Sequence, residues 1–184
     1  MARWSSSAGL TFPELIVAVA IFTIATGIGL ATVGAIVPSL RTDTQVGRLQ
    51  GTLQFAREHA IAQRRDVELR VDADASVVSL VRHDGGVEAP VLELAFEYGV
   101  RFLQFSGLGD TPEGYGDQSA VDFGGSTQLL FTADGMLIDE TGAPINGTFY
   151  LGMPDRIDTA RAVAVTGSTA RGRVYRWNDG WVSQ

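Results

Sequence analysis

Three successive patterns of apolar and polar residues run along the chain. From Leu15 to Leu40 there are 26 residues without a single charge. About 20 apolar residues in a helix suffice to cross the hydrocarbon core of a bilayer, so a transmembrane helix is expected here. A cleaved secretory signal is the competing reading. Its apolar region would be shorter, about 7–15 residues, and would end in small residues, which "ATGIGLATVGA" supplies. Gly27, Gly29 and Gly34 soften the middle of the run, and Pro38 kinks or interrupts its end. Ahead of it lies one cation, Arg3, which biases the N-terminus toward the cytoplasmic side.

The second pattern fills residues 41–66. Val46, Leu49, Leu53, Ala56 and Ala60 recur at spacings of three and four, one apolar stripe on an amphipathic helix. That helix is expected to continue from the apolar run and to lay its stripe on a sheet. His59 falls just off the stripe, with no other histidine near it in sequence, and reads as a surface or boundary residue.

From Val67 onward the period drops to two. "DVELRV", "SVVSLVRH", "VLELAFEY", "VRFLQF", "QLLFTADGMLI", "GTFYLGM", "RAVAVTG" and "RGRVYRW" read as roughly eight short, mostly antiparallel strands. Asp72 and Asp74 are expected in a turn, as is the pair Asp134-Gly135. No glycine fingerprint leads from a strand into a helix, which argues against a nucleotide-binding α/β fold. The fold class is therefore α+β: a long N-terminal helix packed on a small antiparallel β-sandwich.

Composition narrows the function classes. The chain has 184 residues and a net charge of −7, enough for one domain plus an anchor. Its acidity argues against nucleic-acid binding by bulk charge. It contains no cysteine, which removes disulfides, thiol catalysis and thiolate metal sites. Two histidines, His59 and His83, and no nucleophile elbow, HExxH or Walker pattern leave no recognisable catalytic constellation. No cofactor or metal is expected, and a membrane-tethered enzyme is the remotest alternative.

Two local features carry candidate chemistry. Asp110, Glu113 and Asp117 share the glycine-rich loop 107–119 and could wrap a calcium ion; a solvated acidic loop is the favoured reading. In "TARGRVYRW", Arg171, Arg173 and Tyr175 project from one face of a strand and Arg176 from the other. Arginines around an aromatic can hold a nucleic-acid backbone, although charges guarding an edge strand explain them more simply.

One anomaly remains, Glu14, a carboxylate beside Pro13 at the lip of the apolar run in "GLTFPELIVAVAIF". This stretch resembles the processing site of type IV prepilins and type II secretion pseudopilins. The resemblance implies a leader peptide of residues 1–9, cleavage by a prepilin peptidase between Gly9 and Leu10, and N-methylation of Leu10, where phenylalanine is the commoner residue. It further implies that Glu14 serves subunit assembly by neutralising the N-terminal ammonium of a neighbour, since a charge at the membrane edge is tolerable when paired. The order of helix and strands over nearly the whole chain is similar to the H-type minor pseudopilins (GspH/FimT-like).

That likeness implies a pilin-like fold in four parts: leader 1–9, transmembrane and filament-core helix 10–40, amphipathic helix half 41–66, and periplasmic β-rich domain 67–184. The implied function is that of a minor pseudopilin in the periplasmic pseudopilus, which serves protein secretion through a type II secretion system. The protein would sit in the cell inner membrane as a single-pass subunit, with other pseudopilins or pilins and the prepilin peptidase as partners. The alternative is a minor type IV pilin for pilus assembly or DNA uptake. Pilins of the FimT kind bind DNA through a C-terminal glycine-arginine motif, and "GRVYR" is similar to it with one extra residue before Arg176.

Overall fold

The first helix starts where Thr11 and Glu14 meet. The Thr11 backbone N–H and hydroxyl both donate to Glu14 Oε2, at 2.8 and 2.7 Å, so the carboxylate satisfies a donor that the helix start would leave orphaned. The computed structural model describes residues 11–184, except the side chains of 28–33 and 35. Helix α1 (Phe12–Gln63) contains Pro38. The chain divides into two compact units at Val37/Pro38.

In the first unit, Phe12, Leu15, Ile16, Val17, Val19, Ile21, Phe22 and Ile24 are all exposed. Among the described residues no helix is long and apolar enough to cross a membrane. The span expected over 15–40 includes 28–33 and 35, whose side chains lie outside the described residues.

The second unit holds the packed fold. Val46, Leu49, Leu53, Ala56 and Ala60 are each at most 2% exposed, so the stripe read from the sequence is the face that α1 buries. The helix ends in a Schellman motif: Arg64 N–H donates to Ile61 O and Arg65 N–H to Ala60 O, with Arg64 at φ 52°.

The strands that follow are β1 (Val67–Asp72), β2 (Val77–Asp84), β3 (Val87–Ala95), β4 (Arg101–Phe102), β5 (Val121–Asp122), β6 (Leu129–Phe131), β7 (Leu137–Ile138), β8 (Gly147–Met153), β9 (Arg156–Thr166), β10 (Arg171–Trp177) and β11 (Trp181–Ser183). They form two antiparallel sheets. The first runs β3-β2-β1-β6-β7; the second runs β11-β10-β9-β8-β4, with β5 also on β8. The inner faces of both sheets and the α1 stripe share one core, through residues such as Leu69, Leu80 and Phe131 from the first sheet and Phe149, Leu151 and Val163 from the second.

The outer face of the second sheet is also covered. Tyr150, Ala162, Ala164 and Tyr175 form a second buried cluster, with Tyr115 and Trp181 packed against it. The loop 107–119 is thus a structural layer as well as a solvated connection. Among the described residues, eleven strands replace the roughly eight expected. "VLELAFEY" shifts to Val87–Ala95, with Val91 bulged opposite Leu80/Val81, and Tyr98 turns the chain beyond the strand at φ 60°. "VRFLQF" keeps only Arg101–Phe102. The Asp134-Gly135 turn is present, with Gly135 at φ 79°, and Asp72 caps its own turn by accepting from Ala75 N–H.

Candidate functional site

Gly9 and Leu10, the expected cleavage and methylation positions, lie outside the described residues. Glu14 is at the helix start, where Thr11 engages its Oε2 from within the same chain. The T-x-x-E spacing of Thr11 and Glu14 was the sequence signal for this cap, and it was overshadowed by the apolar run that follows.

The arginine strand is β10. Arg171, Arg173 and Arg176 are exposed, while Tyr175 is 3% exposed. Arg173 donates to Glu113 Oε1 at 3.0 Å, and the Tyr175 hydroxyl donates to the same oxygen. Burial, helped by the Glu113 carboxylate, pushes the Tyr175 hydroxyl above its ordinary value. Glu113 therefore ties the loop to the strand, and Arg173 is the tether's cation. Among the described residues Arg171 and Arg176 make no ion pair. A cavity of about 640 Å³ opens between α1 and β10; Asp43, Glu113, Arg171 and Arg173 are in its walls, so both signs of charge face it.

The loop carboxylates do not converge. Asp110 accepts from Thr111 N–H, Gly116 N–H and the Tyr150 hydroxyl. Glu113 serves β10, and Asp117 accepts from the Gln118 side chain. Asp110 and Glu113 thus fasten the loop to the second sheet.

Two further clusters were not foreseen. Arg161 on β9 is fully buried. Its Nε donates to Asp43 Oδ1 at 2.5 Å, Nη2 to Ser39 Oγ at 2.7 Å, and Nη1 to the Asp158 and Ala160 carbonyls. On the outer face of the first sheet, His83 Nε2 lies 2.7 Å from Glu68 Oε2, and Arg70 bridges Glu68 and Glu88. Burial pulls the Glu68 carboxyl upward, but the bonds from Arg70 and His83 prevail and hold it below its ordinary value. His59, as expected, sits at a boundary, half-buried beside the Phe55 ring at 5.6 Å.

A long helix whose second half packs on antiparallel sheets, with polar side chains spent on fastening the fold, defines a pilin-like structural subunit. The sequence matches the family described as Type II transport protein GspH over residues 45–171. That is more than half of the chain, and the chain belongs to this family, the H-type minor pseudopilins of the type II secretion system. The fold is similar to the minor pseudopilin EpsH from the Type 2 Secretion System of Vibrio cholerae, with TM-score 0.51 and 12% identity, covering 74% of this chain and 97% of that one. It is also similar to the type IV minor pilin FimU of Pseudomonas aeruginosa (strain PAO1), with TM-score 0.50 and 18% identity, covering 76% and 91%. At such identities the likeness is one of fold. No curated protein sequence matches significantly. The family is structural and non-enzymatic, and membership implies association with other pseudopilins. It also points to the inner membrane and the pseudopilus.

Proposed function

We propose that the protein is made as a prepilin with leader 1–9, anchored by helix 10–40 with its N-terminus cytoplasmic, and that its β-rich domain, 67–184, is presented in the periplasm on the amphipathic half 41–66. After cleavage between Gly9 and Leu10 and methylation of Leu10, the subunit joins other pseudopilins in a filament used for protein secretion. The observation that carries this reading is the family match over 45–171 standing directly behind "GLTFPEL" and the uncharged run. Co-expression with a prepilin peptidase should shorten the chain by the nine residues before Leu10, and Gly9→Trp should block this, as read by intact mass. A mature N-terminus near Ala31 or Ala35 would mean an ordinary signal peptide instead.

Within the filament, Glu14 pairs with the terminal ammonium of a neighbouring subunit. The Thr11 contacts support this by holding the carboxylate at the helix start, where that amine would arrive. Glu14→Leu makes the anchor more apolar, so membrane insertion should persist while incorporation into filaments falls. Unchanged incorporation and secretion would remove the ion pair.

A further inference from the structure

We propose that Glu68, His83 and Glu88 form a binding site for a borderline divalent metal ion of the Zn²⁺ type on the outer face of the five-stranded sheet. The three residues come from adjacent strands β1, β2 and β3. Among the described residues, this is the group of three potential ligands, two carboxylates and one imidazole, whose donor atoms all lie within 4.8 Å of one another. Two ligands at the usual zinc distances can be at most about 4.2 Å apart, so modest side-chain rotations would place all three on one ion.

Strand pairing sets the positions. His83 is directly opposite Glu88, and Glu68 is opposite Val81, two residues before His83 and on the same face. The bulge makes this possible. Leu80 pairs with Leu92 but Val81 pairs with Pro90, so Val91 is the extra residue. Without it, His83 would face Ala89, and Glu88 would point to the opposite side of the sheet. A bulge that re-aims a side chain is a recurrent device beside functional sites.

A cation already stands in the cluster. Two carboxylates are brought together there, and the Arg70 guanidinium stands between them, donating to Glu88 at 2.6 and 2.8 Å and to Glu68 at 2.8 Å. Arg70 is 43% exposed, so displacement by a metal would return its guanidinium to water. The guanidinium marks the place a metal would take, and the two compete for it. One imidazole nitrogen with two carboxylates suits zinc. Calcium asks for six to eight oxygens, which this row does not offer. A bound ion would cross-tie β3, a sheet-edge strand, to β2 and β1. The bland reading is a surface ion-pair network that binds no metal.

Zinc titration of the full-length, tag-free chain in detergent by isothermal calorimetry separates the two. One zinc per chain is expected. His83→Ala and Glu88→Gln should each weaken binding at least about tenfold, Arg70→Ala should strengthen it several-fold, and calcium should give no saturable heat. Absence of zinc binding by the parent chain would overturn the proposal. So would equal affinity in the parent and His83→Ala chains, which would place the ion elsewhere, or no gain in Arg70→Ala. The result does not depend on cleavage or filament assembly, so it stands or falls apart from the pseudopilin reading.

Discussion

Arg161 is the residue on which the second unit's polar energetics turn. A guanidinium with no exposed surface loses its hydration, and attraction to one carboxylate alone does not reliably repay that loss. Here Asp43, Ser39 and two backbone carbonyls together engage all three guanidinium nitrogens, so β9 is fastened to the first turns of α1 after Pro38. Removing one partner should hurt more than removing the charge. Asp43→Ala leaves the buried cation uncompensated and should cost about 3–5 kcal/mol in urea unfolding. Arg161→Met, which keeps the apolar volume, should cost clearly less; the reverse ranking would mean that Asp43 is not the counter-ion. This site was illegible in the sequence. "RAVAVTG" reads as a strand, and an arginine at its start is ordinarily exposed; its burial becomes tolerable through Asp43 and Ser39, distant in sequence, together with the nearby carbonyls. Asp139 is a second residue-scale case. Its carboxylate accepts from the Thr141 hydroxyl and from the Thr141 and Ala143 N–H groups, and the Thr141 hydrogen bond above all holds its carboxyl below the ordinary value. A depressed folded value stabilises above the ordinary aspartate range, and that stability is lost as pH falls through the folded value. The melting temperature of Asp139→Asn should therefore trail the parent near neutrality, and the gap should close on acidification below about pH 4. A gap that persists there would mean the turn does not depend on the charge.

At the scale of elements, legibility followed periodicity. The α1 stripe from Val46 to Ala60 was readable because five apolar positions repeat at helical spacing with polar residues between them, and all five are buried. The long strands β1, β2, β8, β9 and β10 were readable by alternation or by short apolar runs. β5 and β11, with two and three residues, were not read, being too short to show a period; β5 exists because β8, distant in sequence, offers it a ladder, and β11 because the chain turns back directly onto β10. The bulge in β3 is equally silent, since one extra residue leaves composition unchanged while reversing which side chains face out. The helix stop is a further element-scale feature. Arg64 holds the left-handed position that favours glycine. Because a side chain costs about 1–2 kcal/mol there, and glycine returns part of this as added freedom in the unfolded chain, Arg64→Gly should stabilise by up to about 1 kcal/mol. Thermal unfolding decides it, and a destabilised variant would show that Arg64 makes compensating contacts through its side chain.

On the scale of the whole molecule, the distribution of charge decides between displaying a surface to protein neighbours and gripping a nucleic acid. Duplex affinity rises with the number of phosphates that free cations can neutralise, each contact releasing counterions. This chain carries a net charge of −7. Of the three arginines of β10, Arg173 is held by Glu113, and Arg171 and Arg176 lie on opposite faces of the strand, as alternation requires. The neighbouring cavity adds Asp43 and Glu113 to the same walls, so no continuous positive track is formed. The full-length chain in detergent should therefore show no arginine-dependent duplex binding at physiological salt, and Arg171→Ala with Arg173→Ala should change neither this nor the fold beyond a slight loosening of loop 107–119. Glu113→Gln sharpens the test, because it removes one negative charge and frees Arg173 from its ion pair. If Glu113 merely fastens the loop, this variant should lower stability through Tyr175 and still ignore DNA. If the acid instead masks a nucleic-acid surface, the variant should bind duplex with a steep salt dependence that Arg173→Ala abolishes. That outcome would move the protein from a subunit that only assembles to one that also carries DNA.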